Sequence, residues 1–572
     1  MGEGILGRGL GRLGGRHPKR RGRSLPRLAV VGAALALFAV STAAGAAAGG
    51  LKLDRSGPAV EGPYPWQYPA SGGVKVGSGT TVSGQKCAAG TAQFDSPYAV
   101  PCVAKFTGSN GGATSRGVTA NTITLAWRQY PNTSNAEELA TLAHEAGQAL
   151  QSVNTQVMDV FVNYFNKVFD LYGRKVVIQP FTATGNATLE ALNQGQAQAC
   201  ADATTITDQM HAFGEVGLLY NQQAPGTGPF SQCAANDHLV EFNGDPYFDE
   251  GTFQKQNPYI WSTTQDCTRV SQTVAEVVGT LLAGHKAVYA GDPTLASQTR
   301  KFGTYVPNVP QYVSCTKSSA DLEQHKYHMS PSELVSPFYY NLDVSTFEQS
   351  AQQAVIQFKA EGVTTIVLAC DPYSAGYITK AAAAQNYHPE FFIIGTASDD
   401  QDEYVQGQDD PAEVQGHLFG MSELSPTNQI YGPNSLAGKL YFKLTGHQIP
   451  AGTDGYYSQL IEIFDMLQAA GPDLTPQNMA RGIHAVPELG APGFQYGSWT
   501  YNLGPSGNPG GGDHTASNSA RFIYWDGGTT SPVNGTKGTY VSIFGGKRFS
   551  LGQWPKSLPT LFTAPGSAAT AT

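Results

Sequence analysis

The run Asp371-Pro372-Tyr373-Ser374 closes the apolar stretch VTTIVLAC and opens a helical pattern, AGYITKAAAAQ. A carboxylate, a phenol and a hydroxyl at the end of a buried strand have two uses. Asp371 caps the following helix by accepting from its first free N–H groups, or it meets an amine on a ligand. Other reactive residue types offer less. His325 and His328 in HKYHMS stand at i,i+3 with no third ligand nearby, which reads as surface. ASDDQDEYVQGQDD has the composition of a calcium loop, yet Asp400 and Asp402 lack the ordered Gly and Glu spacing. Asp513 and His514 in GGGDHTAS read first as a turn.

Catalytic patterns are missing as well. There is no G-x-S-x-G, no H-E-x-x-H, and no S-x-x-K with its usual partners. GLGRLG at 9–14 fits the dinucleotide fingerprint, but no strand precedes it. Triads are recognised by geometry rather than by order in the chain, so an exported hydrolase stays as the lesser alternative. The expectation is no enzyme, no cofactor and no metal.

The elements that must carry these residues alternate. TITLAWR, RKVVIQPF, AFGEVGLLY, HKAVYAG, VTTIVLAC and the strand after His388-Pro389 read as strands. ALQSVNTQVMDVFVNYFNKVFDL, NATLEALNQGQAQACADA, CTRVSQTVAEVVGTLLAG, SQTRKFGTYV, STFEQSAQQAVIQFKAEG, GYYSQLIEIFDMLQAAG and TPQNMARGIHAV read as helices. Such alternation predicts βαβ units and parallel sheets. Two doubly wound lobes accommodate it better than one giant sheet. Beyond about 497, short aromatic strands broken by Gly and Pro predict hairpins that finish one lobe.

Composition bounds the partners. Only 14% of the 572 residues are charged, while 41% are hydrophobic. Residues 1–50 hold eight of the 35 basic residues but only Glu3 of the 44 acids. The remainder has 27 basic against 43 acidic side chains, a net charge of −16. So acidic a body lacks the footprint for nucleic acid. The basic cluster followed by LAVVGAALALFAVSTAAGAAAGG at 28–50 reads as a signal peptide or an N-terminal membrane anchor.

Export favours disulfides. Cys87 and Cys102 flank a short loop and are expected to pair, as are Cys200 and Cys233. Connectivity among Cys267, Cys315 and Cys370 stays open.

Four stretches in order over about 117–490 resemble the type I periplasmic solute-binding proteins of ABC importers, the branched-chain amino-acid-binding class. They are GVTANTITLA, VNYFNKVFDLYGRKVVIQPF, STFEQSAQQAVIQFKAEGVTTIVLACDPYSAGYITKAAAAQNYHP and YYSQLIEIFDMLQAAGPDLTPQNMARGI. The resemblance implies two Rossmann-like α/β lobes joined by three crossovers. By that analogy 117–268 plus 417–487 is lobe one and 269–416 plus 488–565 lobe two, while the Gly-, Ser- and Pro-rich 51–116 reads as a linker and stapled extension and 566–572 as a disordered tail. It implies capture of a small polar solute, an amino acid or related amide or carboxylate, by hinge closure and delivery to an ABC permease. A monomer outside the cytoplasm is expected, secreted or tethered. A tethered sensing or scavenging ectodomain is the alternative.

The resemblance also implies where a ligand would touch. Thr227 and Ser231 in YNQQAPGTGPFSQ match the region that holds a ligand carboxylate. Ser262, Thr263 and Thr264 in IWSTTQDC fall near the first crossover, where strand-end hydrogen bonding is the simpler role. Thr396, Ser398 and Asp399 in IIGTASDDQDEY match the loop that offers an acid to an amine. Asp371 and Tyr373 complete the set. AWRQYPNTSN departs from the family pattern, offering Arg128 and Tyr130 either to clamp an acid or to pair within the lobe. Tyr220, Phe230 and Tyr373 would make an aromatic rim suited to a larger solute.

Overall fold

Short β-branched and aromatic runs make the strands, and amphipathic helices return the chain between them. The computed structural model describes residues 73–130, 151–217, 228–245, 247–396, 399–423, 432–450, 453–487, 489, 503 and 514–563. All of these lie within one unit, Leu53–Thr572.

β1 (Ser78–Thr80) and β2 (Lys86–Ala88) form a small antiparallel ribbon. A first parallel sheet contains β3 (Thr122–Gln129), β4 (Lys175–Thr182), β5 (Gly214–Glu215) and β6 (Val240–Glu241), in the order β4-β3-β5-β6. The second sheet contains β7 (Phe302–Pro307), β8 (Phe338–Tyr340), β9 (Thr365–Leu368), β10 (Glu390–Ile393) and β11 (Leu418–Ser422), all parallel in the order β8-β7-β9-β10-β11. β12 (Ser519–Thr530) adds to β11 antiparallel, and β13 (Lys537–Ser542) and β14 (Arg548–Ser550) pair with β12.

Both sheets start from an inner strand, add one neighbour, then reverse direction. This doubly wound order places a switch point between β3 and β5 in one lobe and between β7 and β9 in the other. Strands buried on both faces carry uninterrupted apolar runs, as in TIVL of β9. Glu390 at the start of β10 is a buried acid in the second sheet, and Arg300 neutralises it at 2.7 Å.

The first lobe is built on the helix Gln151–Val168. Its Val157, Phe161, Phe165 and Val168 recur at helical spacing and pack against Leu460, Phe464 and Leu467 of the helix Gly455–Ala469. The Gly- and Pro-rich segment before β3 joins the same core. Phe94 meets Tyr164 edge-on at 5.8 Å and Phe169 at 5.1 Å. Gln93 Nε2 donates to the Val168 carbonyl at 3.1 Å, and Val100 N–H donates to Asp465 Oδ1 at 2.9 Å. Residues 73–116 are thus a wall of the lobe.

Three sequence readings need correction. HKAVYAG forms turns, and the strand lies instead at Phe302–Pro307, inside the stretch read as helical. Phe302, Tyr305 and Val306 are buried there beside β9, so tertiary packing overrides the local pattern. NATLEALNQGQAQACADA divides into Ala187–Ala191 and Gln196–Asp208, with Gly195 left-handed at the break (φ 73°). β11 belongs to the second sheet, so the chain stays there through Ser422 rather than leaving at 416.

Three disulfides staple the fold: Cys87–Cys102, Cys200–Cys233 and Cys267–Cys315. Cys370 is a buried thiol.

Candidate functional site: the cleft between the two sheets

The loops that leave the carboxyl ends of both sheets meet. Asp245 follows β6, and Gln311 follows β7 in the first turn of the helix Pro310–His325. Gln311 Nε2 donates to Asp245 Oδ2 at 3.2 Å. The rings of Tyr247 and Tyr312 lie 4.1 Å apart between centroids. Glu423, just past β11, accepts from the N–H of Gln265 in the first crossover at 3.2 Å. This is the crevice at which doubly wound sheets take ligands.

Carboxylates dominate it. Glu215 ends β5, where it accepts from the N–H groups of Arg128 at 3.0 Å and Gly217 at 2.7 Å. Burial nevertheless pushes its pKa up to about 7. Glu241 ends β6, fully buried beside the Ser231 hydroxyl, and burial with the nearby Glu215 charge raises its pKa well above the usual range. Asp245 is pushed up to about 6 by burial, opposed by hydrogen bonds from the Tyr247 and Gly228 N–H groups and from Gln311. From the second lobe, burial raises Glu423 to about 7.

Asp399 is 3% exposed, and neither carboxylate oxygen has a hydrogen-bond partner. Burial, then Asp400, Asp409 and Glu423, drive its pKa well up. Its loop leaves β10 through Gly395, whose φ is +76° and where an added Cβ would lie 2.5 Å from the Met421 carbonyl oxygen. Asp399 borders a narrow cavity shared with Asp409, Tyr404 and Tyr540, with room for about one water molecule.

The expected site residues divide by place. Thr227, Ser398 and Tyr220 lie outside the described residues. Ser231 is buried in the first turn of the helix Gly228–Asn236, and its Oγ accepts from Asp245 N–H at 3.1 Å. Thr396 is half-buried, and its carbonyl accepts from Asp399 N–H.

Ser262, Thr263 and Thr264 build the crossover. Ser262 bridges Thr515 between two passing segments, Thr263 donates to Asn243 Oδ1 at 3.0 Å, and Thr264 is exposed.

Asp371 acts as the cap of the helix Pro372–Ala384. Its Oδ1 accepts from the Tyr373 and Ser374 N–H groups, and Oδ2 from the Tyr340 and Ser374 hydroxyls at 2.6 Å each. Tyr373 stands edge-on to Tyr404 at 5.6 Å.

Arg128 pairs within its lobe. It binds Glu190 through both Nη atoms and Asp202 at 2.7 Å, and it lies over the rings of Tyr130 and Phe230. Phe230, placed on the rim from sequence, is a core residue at 1% exposure, held under that guanidinium.

His514 is buried between Trp261, Phe253 and His484, and Asp513 lies outside the described residues. Among the described residues no cluster of three or more His, Cys, Asp or Glu is arranged to hold a metal. No helix among them is long and apolar enough to cross a membrane.

Sequence reasoning missed Glu241, Asp245, Tyr247, Gln311, Tyr312 and Glu423. A signal existed in LVEFNGDPYF, an apolar run that ends in an acid and then a Gly-Asp-Pro turn.

No protein-family model and no curated protein matches the chain. Two solved structures superpose on it at a TM-score of 0.50. One is a fatty acid ABC transporter substrate-binding protein from Thermomonospora curvata, 14% identical, with 78% of this chain and 96% of that chain covered. The other is a leucine-, isoleucine-, valine-, threonine- and alanine-binding protein from Brucella ovis in its closed conformation, 13% identical, with 76% and 98% covered. Two doubly wound sheets meeting at their carboxyl ends, together with these likenesses, give the chain the α/β two-lobe fold of the type I periplasmic solute-binding proteins.

Proposed function

We propose that the chain is an extracytoplasmic solute-binding protein that traps a small polar solute by hinge closure and presents it to an ABC permease. The observation that supports this most is the convergence of both sheets' carboxyl-end loops on one crevice, with Asp245 and Gln311 in contact across it. A ligand that touches both lobes favours the closed arrangement by its differential affinity for that state. Moving the population from 1:99 to 99:1 needs about 5.5 kcal/mol, within reach of a few charge-assisted hydrogen bonds in a desolvated cleft.

The branched-chain amino-acid class is the finer reading carried by the sequence resemblance. The fold itself admits other chemistry, since one similar structure is named for fatty acid and the other for leucine, isoleucine, valine, threonine and alanine. Ligand class therefore depends on this chain's own cleft residues.

A thermal-shift screen of the exported body against amino acids, amides, amines, short acids, sugars and nucleosides tests the proposal. A true ligand at a hundredfold excess over its Kd stabilises by about 2.7 kcal/mol. Silence across the whole panel would count against solute binding.

A further inference from the structure

Two crossovers between the lobes run side by side. The first leaves Trp261 of the first-lobe core and enters the helix Cys267–Val277, whose Val274 and Val277 pack with Phe392 and Phe419 of the second sheet. The second passes His514 and Ala516, the latter in the first-lobe core, and enters β12. Ser262 N–H donates to the His514 carbonyl at 2.8 Å, and Ala516 N–H donates to the Ser262 carbonyl at 2.8 Å. Parting the lobes has to bend this pair.

The His514 side chain sits on that joint. It is 1% exposed among the rings of Trp261, Phe253 and His484, and neither ring nitrogen has a hydrogen-bond partner in the protein. Burying a polar group without a partner is costly, so the position calls for an explanation. The carboxylate that faces it is Glu250, with Oε1 3.8 Å from Nδ1 and thus beyond hydrogen-bond distance. Glu250 belongs to the same joint, because its N–H donates to the Thr268 hydroxyl at 3.0 Å, just past the first crossover.

The other ionisable groups around the ring are committed. His484 gives its Nδ1–H to the Leu503 carbonyl at 2.9 Å, and burial pushes its pKa down to about 4. Arg269 donates to the Ser517 carbonyl at 3.0 Å. Asp266 accepts from the Thr515 hydroxyl at 3.2 Å and from the Arg269 N–H at 3.0 Å. Imidazole is the side chain suited to gain charge between about pH 8 and pH 5. Once protonated, both its nitrogens are donors, and a carboxylate takes such a donor at about 2.7–2.9 Å. Reaching Glu250 therefore moves the segment whose carbonyl holds Ser262.

We propose that His514 is a proton-sensitive pivot of the hinge: its protonation draws the ring onto Glu250, bends the paired crossovers and favours the open arrangement of the lobes. The direction follows from the arrangement described, in which Gln311 touches Asp245 across the cleft while the gap from His514 to Glu250 stays unclosed. A proton on His514 is better held where the lobes part. This rests on the hinge-closure reading and adds regulation to it, since an acid exterior releases solute and a neutral one retains it.

Electron-spin distances test it in the ligand-free chain at pH 5 and pH 8. Labels go on Val177→Cys in the first lobe and Ile356→Cys in the second, both exposed positions. The open fraction is expected to rise about tenfold at pH 5, the scale of one charge-assisted hydrogen bond. Asp245, pushed up to about 6 by burial, titrates in the same window, so the response is read as a difference between proteins. His514→Phe and Glu250→Gln are each expected to lose most of the rise, and the double variant no more than either alone. Circular dichroism establishes that each variant folds; Glu250→Gln, at a partly exposed side chain, carries the test if His514→Phe does not.

An equal rise in the native chain and in the variants overturns the pivot, as does a native separation that ignores pH. In either case, a panel compound that binds and draws the labels together leaves hinge closure standing. If no compound of the panel binds, the solute-binding reading falls by that separate result.

Discussion

Gln311 and Asp245 touch across the cleft, amide to carboxylate at 3.2 Å, although one follows β7 and the other β6. Their contact ties the two lobes without any ligand. A hydrogen bond of this kind contributes about 0.5–1.5 kcal/mol. Gln311→Ala is therefore predicted to move the open-to-closed ratio by roughly two- to twelvefold toward open. Distance distributions between spin labels on the two lobes measure this, and an unchanged distribution would mean that the contact does not hold the lobes.

Arg128 is a structural residue by its contacts, buried among Glu190, Asp202 and Tyr130. Arg128→Met leaves two buried carboxylates uncompensated and is predicted to cost about 3–5 kcal/mol. Urea unfolding measures the loss. A stable variant with weakened solute binding would instead return Arg128 to the ligand.

Asp371→Ala separates capping from ligand contact. All four hydrogen bonds of its carboxylate run to its own helix and Tyr340. A stability loss of about 0.5–2 kcal/mol is predicted from the cap, with solute affinity unchanged within twofold. A large affinity loss at normal stability would assign Asp371 to the site.

Stability is predicted to fall as pH rises from 5 to 8. Glu215 and Glu423 near 7, and Asp245 near 6, all bind protons more tightly when folded than their free counterparts do. Between the unfolded and folded values the native state holds more protons, so the slope of unfolding free energy with pH is negative. The contribution is complete below about pH 4 and is lost as pH passes the folded values. Glu215 faces the Arg128 charge and the Glu241 acid, so Glu215→Gln should flatten the slope. Melting temperatures at pH 5, 6.5 and 8 check this.

The Cys87–Cys102 bridge closes a short loop whose neighbours Phe94 and Val100 belong to the first-lobe core. Replacing both cysteines by serine is predicted to destabilise the chain by about 2–4 kcal/mol. A much smaller loss in chemical denaturation would mark residues 73–116 as dispensable.

The alternating architecture was legible because parallel strands and amphipathic helices write different periods. VTTIVLAC and STFEQSAQQAVIQFKAEG correspond to β9 and to the helix Val344–Ala360. β7 was missed because FGTYVP owes its extended form to β8 and β9 on either side, not to its own pattern. The role of Asp371 was legible as one of two local uses, since capping is a short-range act. The convergence of Asp245, Gln311 and Glu423 was not, because three loops distant in sequence must first be brought together by two sheets. Arg128 shows the same limit: its partners lie 62 and 74 residues away.

Hinge closure on a solute is the central claim, and small-angle X-ray scattering tests it directly. The exported body is measured alone and with a saturating amount of whichever compound stabilises it most in the thermal screen. The account predicts a smaller radius of gyration with solute, and a larger one for ligand-free Gln311→Ala than for the native chain. A bound solute that leaves the radius unchanged in both proteins would contradict it.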